Sequence, residues 1–225
     1  GRPEVGTQIL LVTTICSFGY VIADMDFNIL DHDDIIMNPE GRFYLTGRAG
    51  RPDVNLAYPM EYFKKAPNFK AFHSRIKELV ENEEYYVVGH SVRDDVTYLN
   101  KACARYKLEP FKFKFFDTQK MFKEITGEKK QKSLENALLA MEVNEFFISH
   151  RSDEDARATM MLLEALLRKT NMSFEAYINS TDRCTGYTEN GKSSWDYIPP
   201  ESESKRLREN KMKGEKGDNV MLQIG

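Results

Sequence analysis

Short apolar runs alternate along this chain with helical patterns of apolar residues, and this alternation restricts the possible folds more than any other feature. Runs rich in β-branched and aromatic residues predict strands at 15–23, 85–88 and 111–116, and apolar residues with helical spacing predict helices at 69–80, 93–106 and 152–169. Strands that come first and then alternate with helices are typical of an α/β domain, in which helices pack on a mixed sheet.

Length and charge restrict the organisation of the chain. With 225 residues, of which 41% are hydrophobic and 30% are charged, we expect one globular core with an appendage. We therefore predict a single domain over residues 1–180, followed by a turn-rich hairpin and a charged, flexible tail over 181–225. The 32 basic and 35 acidic residues leave a net charge of −3, so an anionic partner must be met by a local basic patch or by metal ions.

The cysteines and the longest uncharged stretch bear on where the protein resides. Cys16, Cys103 and Cys184 are far apart and form no Cys-x-x-Cys pair, so neither a disulfide framework nor a zinc finger is indicated, and we expect a cytoplasmic protein. Residues 5–23 carry no charge, but polar residues interrupt them, and they fit neither a membrane span nor a secretory signal. We read this stretch as sheet and expect no membrane association.

A first candidate site lies where the strand at 85–89 runs into a helix. His90 follows the strand, and Asp94 and Asp95 lie in the first turn of the predicted helix. Carboxylates at this end of a helix are favoured by its dipole by about 0.3–1 kcal/mol each, so helix stabilisation alone accounts for them. The alternative interpretation is ligation of a metal ion.

A second candidate site precedes the helix at 152–169. His150 comes just before the helix and Asp155 lies within its first turns, so both side chains can face one reacting centre. The structural alternative makes Ser152 the N-cap and places the acidic residues 153–155 in the first turn, where the helix dipole stabilises them.

Taken together, in order and spacing, the two segments resemble the second and third motifs of the DEDDh 3′–5′ exonucleases, the DnaQ-like family that includes the proofreading subunit of DNA polymerase III. The second motif, His-Asn-x-x-Phe-Asp-x-x-x-Leu, corresponds to residues 90–99, with Asp95 on the ligand position. The third motif, His-x-Ala-x-x-Asp-Ala, corresponds to residues 150–156. The pair Asp117-Thr118 is similar to an Asp-Thr that members carry between these motifs, and the resemblance extends over about residues 15–167.

The resemblance implies an RNase H-like mixed sheet flanked by helices and a defined chemistry. Asp95 and Asp155 would be metal ligands for Mg²⁺ or Mn²⁺, and neutral His150 would take the proton from the attacking water. Two such ions would clamp the scissile phosphate of a single-stranded DNA or RNA 3′ end. A DNA polymerase is the possible protein partner. Asp153 and Glu154 would be bystanders at the start of the helix.

The first motif of the family, Asp-x-Glu at the end of the first strand, is missing. No acidic residue lies between Glu4 and Asp24. If residues 8–14 fill the place of that strand, Val12 and Thr14 or close neighbours occupy the ligand positions and bind no magnesium. We therefore expect a severely impaired 3′–5′ exonuclease, or alternatively a non-catalytic nucleic-acid-binding or polymerase-associated module. A truncated or frameshifted start and true degeneration both remain open.

The alternating residues 111–116 allow two interpretations. Phe111, Phe113 and Phe115 alternate with Lys112 and Lys114, which predicts a half-exposed strand with one face in the core. The alternative is a surface on which the bases of a single strand stack.

Overall fold

The sheet starts with an antiparallel hairpin of β1 (Ser17–Ala23) and β2 (Ile29–Ile36), joined by a turn at 24–28. The computed structural model of the protein describes residues 15–40, 57–144, 151–195 and 220–224. Asp24 stabilises the turn because its carboxylate accepts hydrogen bonds from the backbone N–H groups of Asp26 and Asn28.

The remaining elements follow the predicted alternation. In chain order they are α1 (Met60–Lys65), α2 (Phe69–Val80), β3 (Tyr85–Gly89), α3 (Val92–Tyr106), β4 (Phe113–Asp117), α4 (Thr118–Thr126), α5 (Leu134–Ala140), α6 (Ser152–Thr170), α7 (Phe174–Ser180), β5 (Thr185–Glu189), β6 (Lys192–Trp195) and β7 (Val220–Ile224).

All seven strands form one mixed sheet in the order β2-β1-β7-β3-β4-β5-β6. β3 is parallel to β4 and to β7, whereas β7 is antiparallel to β1, and β5 and β6 continue the sheet in antiparallel fashion. The carboxyl ends of β3, β4 and β7 therefore meet at one edge, where α3 and α4 begin.

Helices cover both faces of the sheet. On one face, α2 and α3 pack their apolar residues on Phe18, Phe115 and Leu222. On the other face, α4, α5, α6 and α7 enclose a second cluster that includes Phe116 and Met221. Because both faces are covered, the central strands are apolar on both sides.

The α/β fold with a mixed sheet flanked by helices is confirmed, and the helices predicted at 69–80, 93–106 and 152–169 are α2, α3 and α6 within one residue at each end. The half-exposed strand is wrong in one respect: Phe116 is buried as well, because the second layer of helices covers its face. Since Phe111, Phe113 and Phe115 are at most 5% exposed, they are core residues and not a stacking surface.

The sheet extends beyond the boundary predicted at residue 180. The hairpin β5–β6 and the strand β7 lie in the stretch 181–225, and both belong to the same sheet as the preceding residues. The charged stretch 196–219 is outside the described residues, so its flexible character stays a prediction.

Candidate functional site at the carboxyl edge of the sheet

The turn from β3 into α3 is tight, and it sets the position of Asp95. Ser91 adopts a left-handed conformation with φ of 60°, and α3 begins at the next residue. Gly89 is required before it, since a Cβ there would lie 2.7 Å from the side chain of Val92. The turn places Asp94 on the exposed side of α3, where it accepts a hydrogen bond from the Ser91 hydroxyl, and leaves Asp95 partly buried.

Asp117 fastens this turn to the neighbouring strand. It ends β4 opposite Gly89, is only 2% exposed, and accepts hydrogen bonds from the backbone N–H groups of Ser91 (3.0 Å) and Gln119 (2.8 Å). It is also the N-cap of α4. Burial raises the pKa of Asp117 to about 6, and the hydrogen bonds from the backbone act in the opposite direction.

His90 links the same turn to the segment between α4 and α5. Its Nε2 lies 2.9 Å from the carbonyl oxygen of Lys132 and its Nδ1 lies 3.0 Å from the hydroxyl of Thr118. Burial lowers the pKa of His90, which favours the neutral ring. Because a carbonyl oxygen only accepts, Nε2 carries the proton. His90 is therefore a structural link at the edge of the site.

The start of α6 lies directly on β1. A Cβ at Gly19 would overlap the carbonyl carbon of Ser152 and the amide nitrogen of Asp153, so the contact requires glycine. The hydroxyl of Ser152 pairs with that of Ser17. The interpretation of Ser152 as the N-cap is wrong: the N-cap position is held by Arg151, and its side chain makes no capping hydrogen bond.

Asp153 is a structural residue and not a bystander. Its side chain is 5% exposed, and both carboxylate oxygens accept from the guanidinium of Arg151, at 2.7 and 2.8 Å. This bidentate pair satisfies a charge that would otherwise be costly to bury. Glu154 lies on the more open side of the helix, 3.8 Å from Arg157.

Asp95, Asp117 and Asp155 come from three elements, and the charges of Asp117 and Asp155 both act on Asp95; we call the three residues the acidic cluster. Burial, together with the negative charges of Asp94, Asp117 and Asp155, raises the pKa of Asp95 to about 8. The structure thus brings together the two predicted metal ligands, Asp95 and Asp155, and adds Asp117. The predicted base, His150, lies outside the described residues, so its role stays a prediction.

The sheet position next to β1 is filled by β7. This strand pairs with both β1 and β3. Residues 8–14, the candidates for the strand of the first motif, lie outside the described residues, so their place stays a prediction. Gln223 of β7 is fully buried, and neither its amide nitrogen nor its amide oxygen has a hydrogen-bond partner among the described residues.

The donor set does not fit a two-ion site. Within the described ranges, no group of three or more histidine, cysteine or acidic side chains is placed to hold a metal ion. Asp117 already accepts two backbone hydrogen bonds, and Gln223 offers a neutral amide where a hard divalent cation favours charged oxygen. Asp95 and Asp155 alone supply too little negative charge for a strong magnesium site.

A second group of polar residues lies at the first turn of α6, on the side that faces β2. Burial and the neighbouring charge of Asp153 raise the pKa of Asp34 on β2 to about 6, while Tyr58 and Arg151 oppose the shift. Tyr58 also stacks on Tyr62, with ring centroids 5.4 Å apart. These residues were not singled out in the sequence, because their proximity depends on the packing of α6 against β1 and β2.

Two comparisons bear on this arrangement. Residues 60–166 match the family model of the C-terminal domain of DNA polymerase III subunit epsilon-like proteins of the DEDDh class. A solved structure described as a full-length 3′-exonuclease is 13% identical, with a TM-score of 0.62, and the alignment covers 87% of each chain. No curated protein matches the sequence.

The fold is therefore a single α/β domain of the RNase H-like kind. The similarity to the solved structure supports this fold and nothing further. The resemblance to the DEDDh family is confirmed over residues 60–166, which match the family model and contain Asp95, Asp117 and Asp155. No helix in the described part of the chain is long and apolar enough to cross a membrane.

Proposed function

We propose that this protein derives from a 3′–5′ exonuclease, that it binds single-stranded DNA or RNA at the 3′ end, and that its hydrolytic activity is severely impaired in these 225 residues as they stand. The observation that supports this proposal most strongly is the acidic cluster at the carboxyl edge of the sheet. It contains Asp95 and Asp155, the residues on the two ligand positions that the chain retains.

The proposed chemistry assigns a role to each retained residue. Asp95 and Asp155 would supply carboxylate oxygens for Mg²⁺ or Mn²⁺, and His150 would take a proton from the attacking water. Loss of ligands that bind the metal directly is expected to cost more than the roughly 10–100-fold typical of residues one contact further out. We therefore expect hydrolysis to be slowed by more than this factor.

Two further assignments belong to the same proposal. The matching family model describes polymerase III epsilon-like proteins, so a DNA polymerase is the proposed protein partner. The three cysteines are all free thiols, and two of them are buried, which is in keeping with a cytoplasmic location.

A nuclease assay tests the proposal. The purified chain is incubated with single-stranded DNA and, separately, RNA of the same sequence, labelled at either end, in Mg²⁺ or Mn²⁺. We expect binding, with cleavage that is slow, starts at the 3′ end and is lost in His150→Ala. Cleavage that persists unchanged in His150→Ala comes from a contaminant and rejects the catalytic assignment, and absence of binding to either nucleic acid rejects the substrate.

The alternative is a binding module that keeps the fold without the chemistry. The neutral Gln223, fully buried in β7 next to β3, favours it because it supplies no charge for a metal ion. Binding of the labelled strand without any cleavage, even at high protein and Mn²⁺ concentrations, would select this alternative. A matched strand with a 3′-phosphate serves as control, because a protein that recognises the free 3′ hydroxyl binds it more weakly.

A further inference from the structure

β7 lies in the centre of the sheet, and its position is fixed on both sides. Gln223 is opposite Val21 on β1 and opposite Val88 on β3, and both of these neighbours are at most 2% exposed. β7 is far in sequence from both of these neighbours, because β1 ends at Ala23 and β3 ends at Gly89.

The side chain of Gln223 lies on the face that α6 covers. Met221, two residues earlier on the same face, belongs to the cluster with Leu162 and Leu163 of α6. Val21, the partner of Gln223 on β1, packs with Ala156, which directly follows Asp155. Gln223 is closer than Met221 to the carboxyl edge, so its side chain lies under the first turns of α6, the part of the helix that carries Asp155.

A buried amide without partners is unusual. Native structures pair nearly all buried polar side chains, and an unpaired one is unfavourable relative to an apolar group of the same shape. The flanking positions of β7 hold Met221, Leu222 and Ile224, all at most 1% exposed, and Gln223 alone is polar. A polar side chain that packing does not require, under the turn of α6 that carries Asp155, points to a role other than packing.

We propose that β7 provides the strand from which a carboxylate would complete the acidic cluster, and that the neutral amide of Gln223 is the feature that makes this site weak for a divalent cation. The inference rests on the proposed function, because it explains why hydrolysis is impaired. Its test uses only the metal ion and the full chain, so it can fail independently of nucleic-acid binding.

The decisive variant is Gln223→Glu, which keeps the size of the side chain and adds a charge. In metal-free buffer we expect it to unfold at a lower temperature than the starting protein, because a buried carboxylate is added beside Asp155. Mn²⁺ at about 100 times its dissociation constant should raise the Tm of the variant by about 5 °C or more. The starting protein should respond by less than about 1 °C.

Two further variants make the test specific. Gln223→Glu combined with Asp155→Asn should lose the Mn²⁺ response, because the proposed site needs both residues. Gln223→Met removes the unpaired amide at nearly constant volume and should raise Tm by about 5 °C without any metal, which checks the buried position even if the charged variant does not fold.

The contrary results are equally clear. The proposal is overturned if Mn²⁺ leaves the Tm of Gln223→Glu unchanged, if the response survives the Asp155→Asn change, or if the starting protein itself gains stability from Mn²⁺ to the same extent. A decrease in Tm for Gln223→Met also overturns it, because the amide would then have a stabilising partner.

Discussion

Gly19 of β1 lies against the peptide group that joins Ser152 to Asp153, closer than any side chain would permit. This contact sets the distance between the sheet and the first turn of α6, and hence the position of Asp155 relative to Asp95 on α3. A glycine in a strand marks such a close approach of backbone.

We expect Gly19→Ala to lower the free energy of unfolding by about 2–3 kcal/mol, because the added methyl group overlaps backbone atoms that cannot rotate away. Urea denaturation measures the change. Ser17→Ala is the matched control on the same strand: it loses one hydroxyl pair with Ser152 and should cost about 1 kcal/mol. Equal stability of Gly19→Ala and the starting protein would contradict the close contact.

The pair of Arg151 and Asp153 should contribute more than other ion pairs of α6. Arg151→Ala leaves a buried carboxylate without its partner, and we expect a loss of about 2–3 kcal/mol, reduced from the fully buried case because a third of the Arg151 side chain is exposed. Arg168→Ala is the control, since its pair with Glu164 is exposed and should contribute at most about 1 kcal/mol. Similar losses for the two variants, measured by urea denaturation, would show that the buried pair has no special role.

Asp117 is expected to act mainly as a hydrogen-bond acceptor. Asp117→Ala leaves the N–H groups of Ser91 and Gln119 unpaired and should cost about 2–3 kcal/mol, whereas Asp117→Asn keeps an acceptor oxygen and should cost less than about 1 kcal/mol. Thermal unfolding of both variants at pH 7 compares them. A larger loss for Asn than for Ala would mean that the negative charge, and not the acceptor, is what the fold requires.

Asp34 should make stability depend on pH in a defined direction. Its pKa is raised to about 6 in the folded protein, so the native state holds a proton that the unfolded chain has already released. The free energy of unfolding therefore falls as the pH rises from about 4 to about 6, by about 2–3 kcal/mol, because both carboxylate oxygens of Asp34 are buried and one pKa unit corresponds to about 1.4 kcal/mol.

The difference between two stability curves isolates this contribution, because Asp117 titrates in the same range. Asp34→Asn should remove the decrease that belongs to Asp34, so the variant gains stability relative to the starting protein as the pH rises. If the two curves run parallel from pH 4 to pH 7, the burial of Asp34 does not affect folding.

Local patterns were sufficient to predict most of the fold. The helical spacing of Val96, Leu99 and Cys103 predicts α3, and the Phe alternation predicts β4, because each pattern lies within one element and reflects the face that it buries. Asp95 and Asp155 could likewise be found, since their motifs are short and continuous. Their proximity in the structure needed the sheet order, which a motif does not contain.

The rest depends on contacts between distant segments. Met221, Leu222 and Ile224 follow a long charged stretch, and five residues are too few to show where a strand pairs. The role of Asp153 also could not be predicted, because an acidic residue in the first turn of a helix is ordinarily exposed. It is buried here only because Gly19 lets α6 approach the sheet.

The central location of β7 has a consequence for folding during synthesis on the ribosome. Until residues 220–224 leave the exit tunnel, no other strand in the described part of the chain pairs with the edges of β1 and β3 that β7 later covers, so these edges are open to other chains. The two halves of the sheet cannot be joined before β7 has been synthesised. Nascent chains and chains shortened before β7 are therefore expected to aggregate more readily than the full chain.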